Sequence, residues 1–271
     1  MTLLRELVSE FDAQWPVGSA EAWDRCGLIL GDLNRKVSRV LFAVDLTQDL
    51  IEEAIADKYD LVISHHPLLV RTFDTLVEDA VKTRILEMAS QGGVAIYAAH
   101  TNADITFTGV CATLADSIGI DSQVAFEPAG QNTGHGRVGY LPQPTSLLEF
   151  ARKLARVLPA TAGGVKVAGD PNLRVSKVAV LAGAGDSFLA TAYQTGADVY
   201  VTSDLRHHPT QDARELAQVD GRGFALIDIS HWAAESLWLA VAAASLSSRF
   251  AEVTFDVSDL RTDPWDFLVT Q

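Results

Sequence analysis

Cysteine is almost missing from this chain: Cys26 and Cys111 are the only two, far apart and in no paired motif. That excludes a disulfide framework and a thiolate zinc site, so any metal must be held by nitrogen and oxygen. Basic charge is scarce too, with 21 Lys and Arg against 35 Asp and Glu and a formal net charge of −14. Binding to a nucleic-acid backbone rests on clustered Lys and Arg, so a long nucleic acid is not an expected partner. A single nucleotide or phosphate ester stays open, because a bound cation locally reverses the field of a pocket. Long apolar runs are also lacking. The stretch from Trp238 to Leu246 is too short and too rich in Ala and Ser to span a bilayer, and Glu6 stands where a signal peptide has its basic, then apolar, start. The expectation is a cytoplasmic protein with no membrane partner. No glycine-rich phosphate loop of the Walker type occurs, so a nucleotide would have to be held by other means.

What the chain does have is apolar content, 48% over 271 residues, enough for a large core in two domains or one large one. Leu3, Leu4, Leu7, Val8 and Phe11 are spaced as the buried face of a helix. Residues 21–31 read as irregular, with Trp23 as a packing residue. Strands are then predicted at 40–44, 61–64 and 94–99, alternating with helices at 48–57, 79–90 and 109–118. A polar, turn-rich segment at 120–136 reads as the connection between lobes. Beyond it, strands at 138–141, 165–167, 175–181, 199–202, 224–229 and 252–257 alternate with helices at 146–157, 188–194, 209–218 and 231–247. Such alternation means crossover units and largely parallel sheets. The fold class is α/β, with two α/β lobes at residues 1–126 and 127–271. Whether residues 224–271 pack back on the first lobe, bringing His231 and Glu235 to it, is left open.

Three strand ends carry chemistry. The apolar run Leu61-Val62-Ile63-Ser64 stops in His65-His66-Pro67. Neighbouring side chains on a strand point to opposite faces, but Pro67 ends the ladder, so both imidazoles can turn into one crevice. Metal ligation and local capping hydrogen bonds are both open readings of the pair. A second strand ends in Ala99-His100-Thr101-Asn102-Ala103-Asp104, where Asp104 is either a ligand or a capping acid for the following helix. The third, Asp228-Ile229-Ser230, runs into His231 and Glu235, four apart and so on one helical face, as ligands or as a hydrogen-bonded pair. Three imidazoles and two carboxylates are enough for two ions with a bridging carboxylate and open positions. An echo of the first stretch occurs at Val199 to Ser203, followed by Asp204 and His207-His208-Pro209. It reads either as kinship between two lobes or as chance, and Asp204 could cap the helix that follows.

These residues resemble the dinuclear-metal proteins known as GTP cyclohydrolase I type 2 homologues, or NIF-three-like proteins. The resemblance rests on Ser64-His65-His66-Pro67, on His100 to Asp104, on His231 with Glu235, on Trp23-Asp24 with Gly27-Leu28, and on Thr202-Ser203-Asp204 with His208. It covers nearly the whole chain; Asp24 stands where the family commonly has an amide. It implies two α/β lobes with mixed, largely parallel sheets and a metal site in the cleft between them. The implied ligands are His65, His66, Asp104, His231 and Glu235, holding two divalent transition-metal ions. Mixed imidazole and carboxylate ligands suit zinc, iron and manganese alike. The family has a minimal form without an inserted domain, which the short 120–136 segment matches, and a ring-shaped homohexamer. The expected function is metal-dependent hydrolysis of a small molecule, such as a nucleotide, with His100 as a base beside the metals and Asp204, His207 and His208 as substrate contacts. The rival reading is a non-enzymatic metal-binding or scaffold protein.

Overall fold

Short apolar strands alternating with helices build a separate sheet in each of two units, Met1–Ala103 with Leu239–Thr262 and Asp104–Trp238 with Asp263–Gln271. The computed structural model describes residues 2–69, 79–130 and 133–270.

In the first unit the strands lie in the order Thr254–Val257, Arg39–Ala43, Leu61–Ser64, Ala95–Ala98, Gly27–Leu30. All pairings are parallel except that of Gly27–Leu30, which runs antiparallel at the edge. Leu61–Ser64 and Ala95–Ala98 are buried on both faces, as continuous apolar runs in a parallel sheet should be. Leu41, Val62 and Ile96 share one core with Leu50 and Ile51 of helix Gln48–Ala56 and Ile85, Met88 and Ala89 of helix Ala80–Gly92. The alternate residue Tyr97 points to the opposite face and meets Phe11 edge-on at 5.0 Å. Phe11, Leu4 and Leu7 are the buried stripe of helix Leu4–Gln14. Thr47 and Asp79 cap their helices by accepting from Leu50 N–H and Lys82 N–H. At the far edge, the Asp256 carboxylate accepts from the Arg39 guanidinium and the Tyr59 hydroxyl, which fastens Thr254–Val257 in place.

The second unit orders its strands Lys166–Ala168, Ala225–Asp228, Val199–Ser203, Arg174–Ala184, Arg137–Ser146, Asp121–Val124. Only Ala225–Asp228, Val199–Ser203 and Arg174–Ala184 run parallel; the flanking pairings are antiparallel. The mixed α/β architecture is the expected one, but this sheet is less parallel than the alternation suggested. The polar segment read as a connection supplies the difference. It forms strand Asp121–Val124 and the hairpin Glu127–Gly130 with Thr133–His135, while residues 131–132 lie outside the described residues. The first two of these strands are mostly exposed and so carry no apolar alternation to betray them. Likewise Gly27–Leu30 is an edge strand bounded by glycines and reads as a loop. The chain passes between units at Ala103/Asp104, Trp238/Leu239 and Thr262/Asp263 rather than at residues 126 and 127. Residues 224–271 are thereby shared: 239–262 belong to the first unit, and His231 and Glu235 stay in the second.

The echo in sequence is an echo in structure. Arg39–Ala43, Leu61–Ser64 and Ala95–Ala98 in one sheet, and Arg174–Ala184, Val199–Ser203 and Ala225–Asp228 in the other, are runs of three adjacent parallel strands. In each run the middle strand is preceded by an aspartate that accepts from backbone near the beginning of the strand before it. Asp60 takes the N–H groups of Ser38 and Arg39, and Asp198 those of Ser176 and Lys177. Functional groups then collect where such sheets place them, at the carboxyl ends of the parallel strands. Among the described residues no helix is long and apolar enough to cross a membrane.

Candidate metal-binding residues

In the first unit the ladder of Leu61–Ser64 ends at Ser64, whose hydroxyl donates to the His66 carbonyl at 2.8 Å. Freed from strand alternation, His65 and His66 bring their rings to 5.1 Å from each other. His100, after the neighbouring strand, brings its ring to 5.2 Å from His65 and 5.4 Å from His66. One ligand nitrogen from each lies within 4.8 Å of the others, a group that could hold a metal ion. The Nδ1 atoms are engaged: His65 with the Ala99 carbonyl at 2.8 Å, His66 with Asp45 Oδ1 at 2.7 Å and His100 with Asp24 Oδ1 at 3.0 Å. A carbonyl and an ionised carboxylate only accept, so Nδ1 donates in each pair, and in the neutral ring Nε2 is then the atom that can bind metal.

Asp45 and Asp24 were not foreseen as parts of this group. Burial alone would raise the Asp24 carboxyl, but hydrogen bonds from His100, Thr101 and Cys26 outweigh it and hold the group well below the ordinary carboxylate range. Burial and the bond to Asp24 push the Cys26 thiol up to about 12, so it stays protonated and serves as a donor. Trp23, read as a packing residue, is 53% exposed and packs edge-on to His100 at 5.8 Å.

In the second unit, strand Ala225–Asp228 leads into helix His231–Ser247, and the predicted spacing holds: His231 Nε2 stands 2.8 Å from the buried Glu235 Oε1. His231 Nδ1 is bonded to Asp204 Oδ2 at 2.7 Å. Asp204 has φ 56°, a left-handed conformation that costs a non-glycine residue about 1–2 kcal/mol and here aims its carboxylate at His231. It does not cap the next helix, whose N-cap position is Arg206. Burial would lower the His231 pKa; the Glu235 charge and the Asp204 bond reverse that and raise it to about 11. Two carboxylates thus flank His231, a setting that favours a positive charge there, whether a proton or a metal ion. Gly183, near the end of strand Arg174–Ala184 with φ +83°, leaves room for them, since a Cβ there would lie 2.9 Å from Glu235 Oε1.

Asp104 closes the short helix Thr101–Asp104 with Oδ1 buried. It is not the capping acid of the next helix, whose N-cap is Gly109. His207 and His208 open helix His207–Val219, both exposed, with rings 5.2 Å apart. His207 lines a cavity of about 470 Å³ with Lys166, Arg214 and Asp228.

Imidazole nitrogen oriented by a carboxylate or carbonyl, with carboxylate oxygen beside it, is a donor set that fits zinc, iron or manganese. Similarity to known proteins spans nearly the whole chain. A Streptomyces coelicolor protein named GTP cyclohydrolase 1 type 2 homolog is 39% identical over 274 residues, covering 98% of this chain and 94% of that protein. A Mycobacterium tuberculosis protein of the same name is 28% identical over 372 aligned positions, more than this chain possesses, covering 97% and 96%. Among solved structures, the Bacillus cereus protein related to NIF3 shares the fold with a TM-score of 0.90 at 24% identity, covering 98% of this chain and 99% of that one. Staphylococcus aureus hypothetical protein SA1388 gives a TM-score of 0.87 at 26% identity with the same coverage. The family model described as Duf34/NIF3 (NGG1p interacting factor 3) matches residues 2–264, and to that family this chain belongs.

Proposed function

We propose that this protein is a dinuclear metal-dependent hydrolase that opens a nucleotide or related small molecule with water. Its ligands to two divalent transition-metal ions, zinc, iron or manganese, are His65, His66, Asp104, His231 and Glu235. The observation that carries the reading is the orientation of His65, His66 and His231. Each has Nδ1 bonded to an acceptor, as metal-binding histidines do, and a metal ion at His231 would take the place of the proton that its Nε2 shares with Glu235. Bound ions would supply Lewis-acid polarisation of the substrate and a water of lowered pKa. The chain's own residues do the rest. Asp45 and Asp204 hold the rings of His66 and His231 at a set angle. His100, kept upright by Asp24, offers Nε2 as an acceptor for a proton from water or from the substrate. Exposed His207 and His208 are the proposed substrate contacts. The nucleotide class comes from the relatives' name, GTP cyclohydrolase 1 type 2 homolog.

The test is elemental analysis of protein purified without chelators and resupplied with metal, followed by incubation with GTP and other nucleotides. About two ions per chain and metal-dependent turnover are expected. A content near zero would sink the metal reading, and two tightly held ions without turnover of any nucleotide would turn the protein into a metal-binding scaffold. We also propose a homohexamer, which light scattering at micromolar concentration checks; a monomer alone would refute it.

A further inference from the structure

We infer that the dipeptide Thr262-Asp263, just past the last strand, is a positioning element that fixes the imidazoles of both His66 and His231. The Thr262 hydroxyl donates to Asp45 Oδ2 at 2.5 Å, while Asp45 Oδ1 takes the His66 Nδ1 proton at 2.7 Å. With both oxygens engaged, the Asp45 carboxylate cannot swing about its Cβ–Cγ bond, and the plane of the His66 ring is set with it.

Asp263, the next residue, acts in the other unit. It is 9% exposed, and its Oδ2 accepts from the Ser230 hydroxyl at 2.5 Å while Oδ1 accepts from Trp265 N–H at 3.1 Å. Ser230 Oγ in turn accepts from Ala233 N–H at 3.2 Å, in the first turn of the helix that opens with His231. A carboxylate that orients the capping hydroxyl fixes where that helix begins, and with it the point from which His231 projects. Neither Thr262 nor Asp263 is itself one of the proposed ligands. Thr262 works through Asp45, which holds His66, and Asp263 through the Ser230 hydroxyl that caps the helix carrying His231; partners that orient a ligand typically govern metal affinity by about 10- to 100-fold.

This inference rests on the metal reading above, and zinc alone is the probe that separates the two. The variants are Thr262→Val, which keeps shape and removes the hydroxyl, Thr262→Ser, which restores it, and Asp263→Asn. Zinc affinity is measured by chelator competition, geometry by the visible spectrum of the cobalt-loaded protein, and fold by the unfolding midpoint of the metal-free protein. Thr262→Val and Asp263→Asn should each weaken zinc about tenfold or more and shift the cobalt bands, with Thr262→Ser at wild-type affinity. Wild-type protein that takes up no zinc overturns the metal reading and this inference with it. Wild type that loads normally while Thr262→Val and Asp263→Asn match it in affinity and spectrum overturns the positioning role alone. So does a change that only lowers the metal-free midpoint, or a loss that Thr262→Ser shares.

Discussion

Gly183→Ala is the sharpest single perturbation of the His231–Glu235 pair, because it separates backbone strain from damage to the site. Gly183 has φ +83°, and an added Cβ would stand 2.9 Å from Glu235 Oε1 and 3.6 Å from His231 Nε2. Gly196 has nearly the same φ, +79°, but a Cβ there would meet nothing nearer than Lys177 Nζ at 3.8 Å. Forcing alanine into the left-handed region costs about 1–2 kcal/mol in either place. Both variants should therefore fold, losing a similar and tolerable part of a typical stability of about 5–15 kcal/mol. Only at position 183 must the carboxylate also retreat, by roughly half an ångström, which is the tolerance within which a ligand constellation works. Denaturant unfolding of the metal-free proteins should show comparable losses. Chelator competition should then show zinc affinity down about tenfold or more for Gly183→Ala and unchanged for Gly196→Ala. Equal zinc affinity for Gly183→Ala and wild type would refute the placement of the site beside Glu235.

Glu235→Gln keeps size and one carbonyl oxygen but removes the charge that balances the cation; it should fold and lose at least one ion by elemental analysis, whereas His208→Ala should keep both. The reverse pattern would move the site to the second His-His-Pro. The Asp24 carboxyl lies below its ordinary range in the folded state, so the stability it contributes is present near neutral pH and is lost as pH falls below about 3.9. Asp24→Asn should accordingly be less stable than wild type near neutrality and should close that gap under acid. Denaturation midpoints that keep a constant gap across the acid range would contradict it.

The parallel cores were legible because period and length agree. Leu61–Ser64 is buried on both faces as its unbroken apolar run requires, and His231 to Glu235 met at the distance that a four-residue helical step dictates. The exposed strands of the second unit were not legible, since strands such as Glu127–Gly130 are held by backbone pairing and leave no hydrophobic pattern. The orienting carboxylates were half visible. Asp204 was noticed through its place in the echo, yet its task depends on a left-handed backbone that no local motif announces. Asp45 and Asp24 sit 21 and 76 residues from the histidines they hold, and such pairings exist only after folding.

The strand Thr254–Val257 has one more consequence, in the order of synthesis. It pairs with Arg39–Ala43, matching Phe255 to Val40 and Val257 to Phe42, yet it is translated more than two hundred residues later. At roughly 5–20 residues per second, the free edge of Arg39–Ala43 waits on the order of 10–40 s on the ribosome for its partner. An apolar edge left open that long is a template for another chain, and many ribosomes on one message would bring such edges together. The first unit thus begins to form early but completes its sheet late, so crowding of nascent chains, more than the stability of the finished fold, should set how much of this protein is recovered intact.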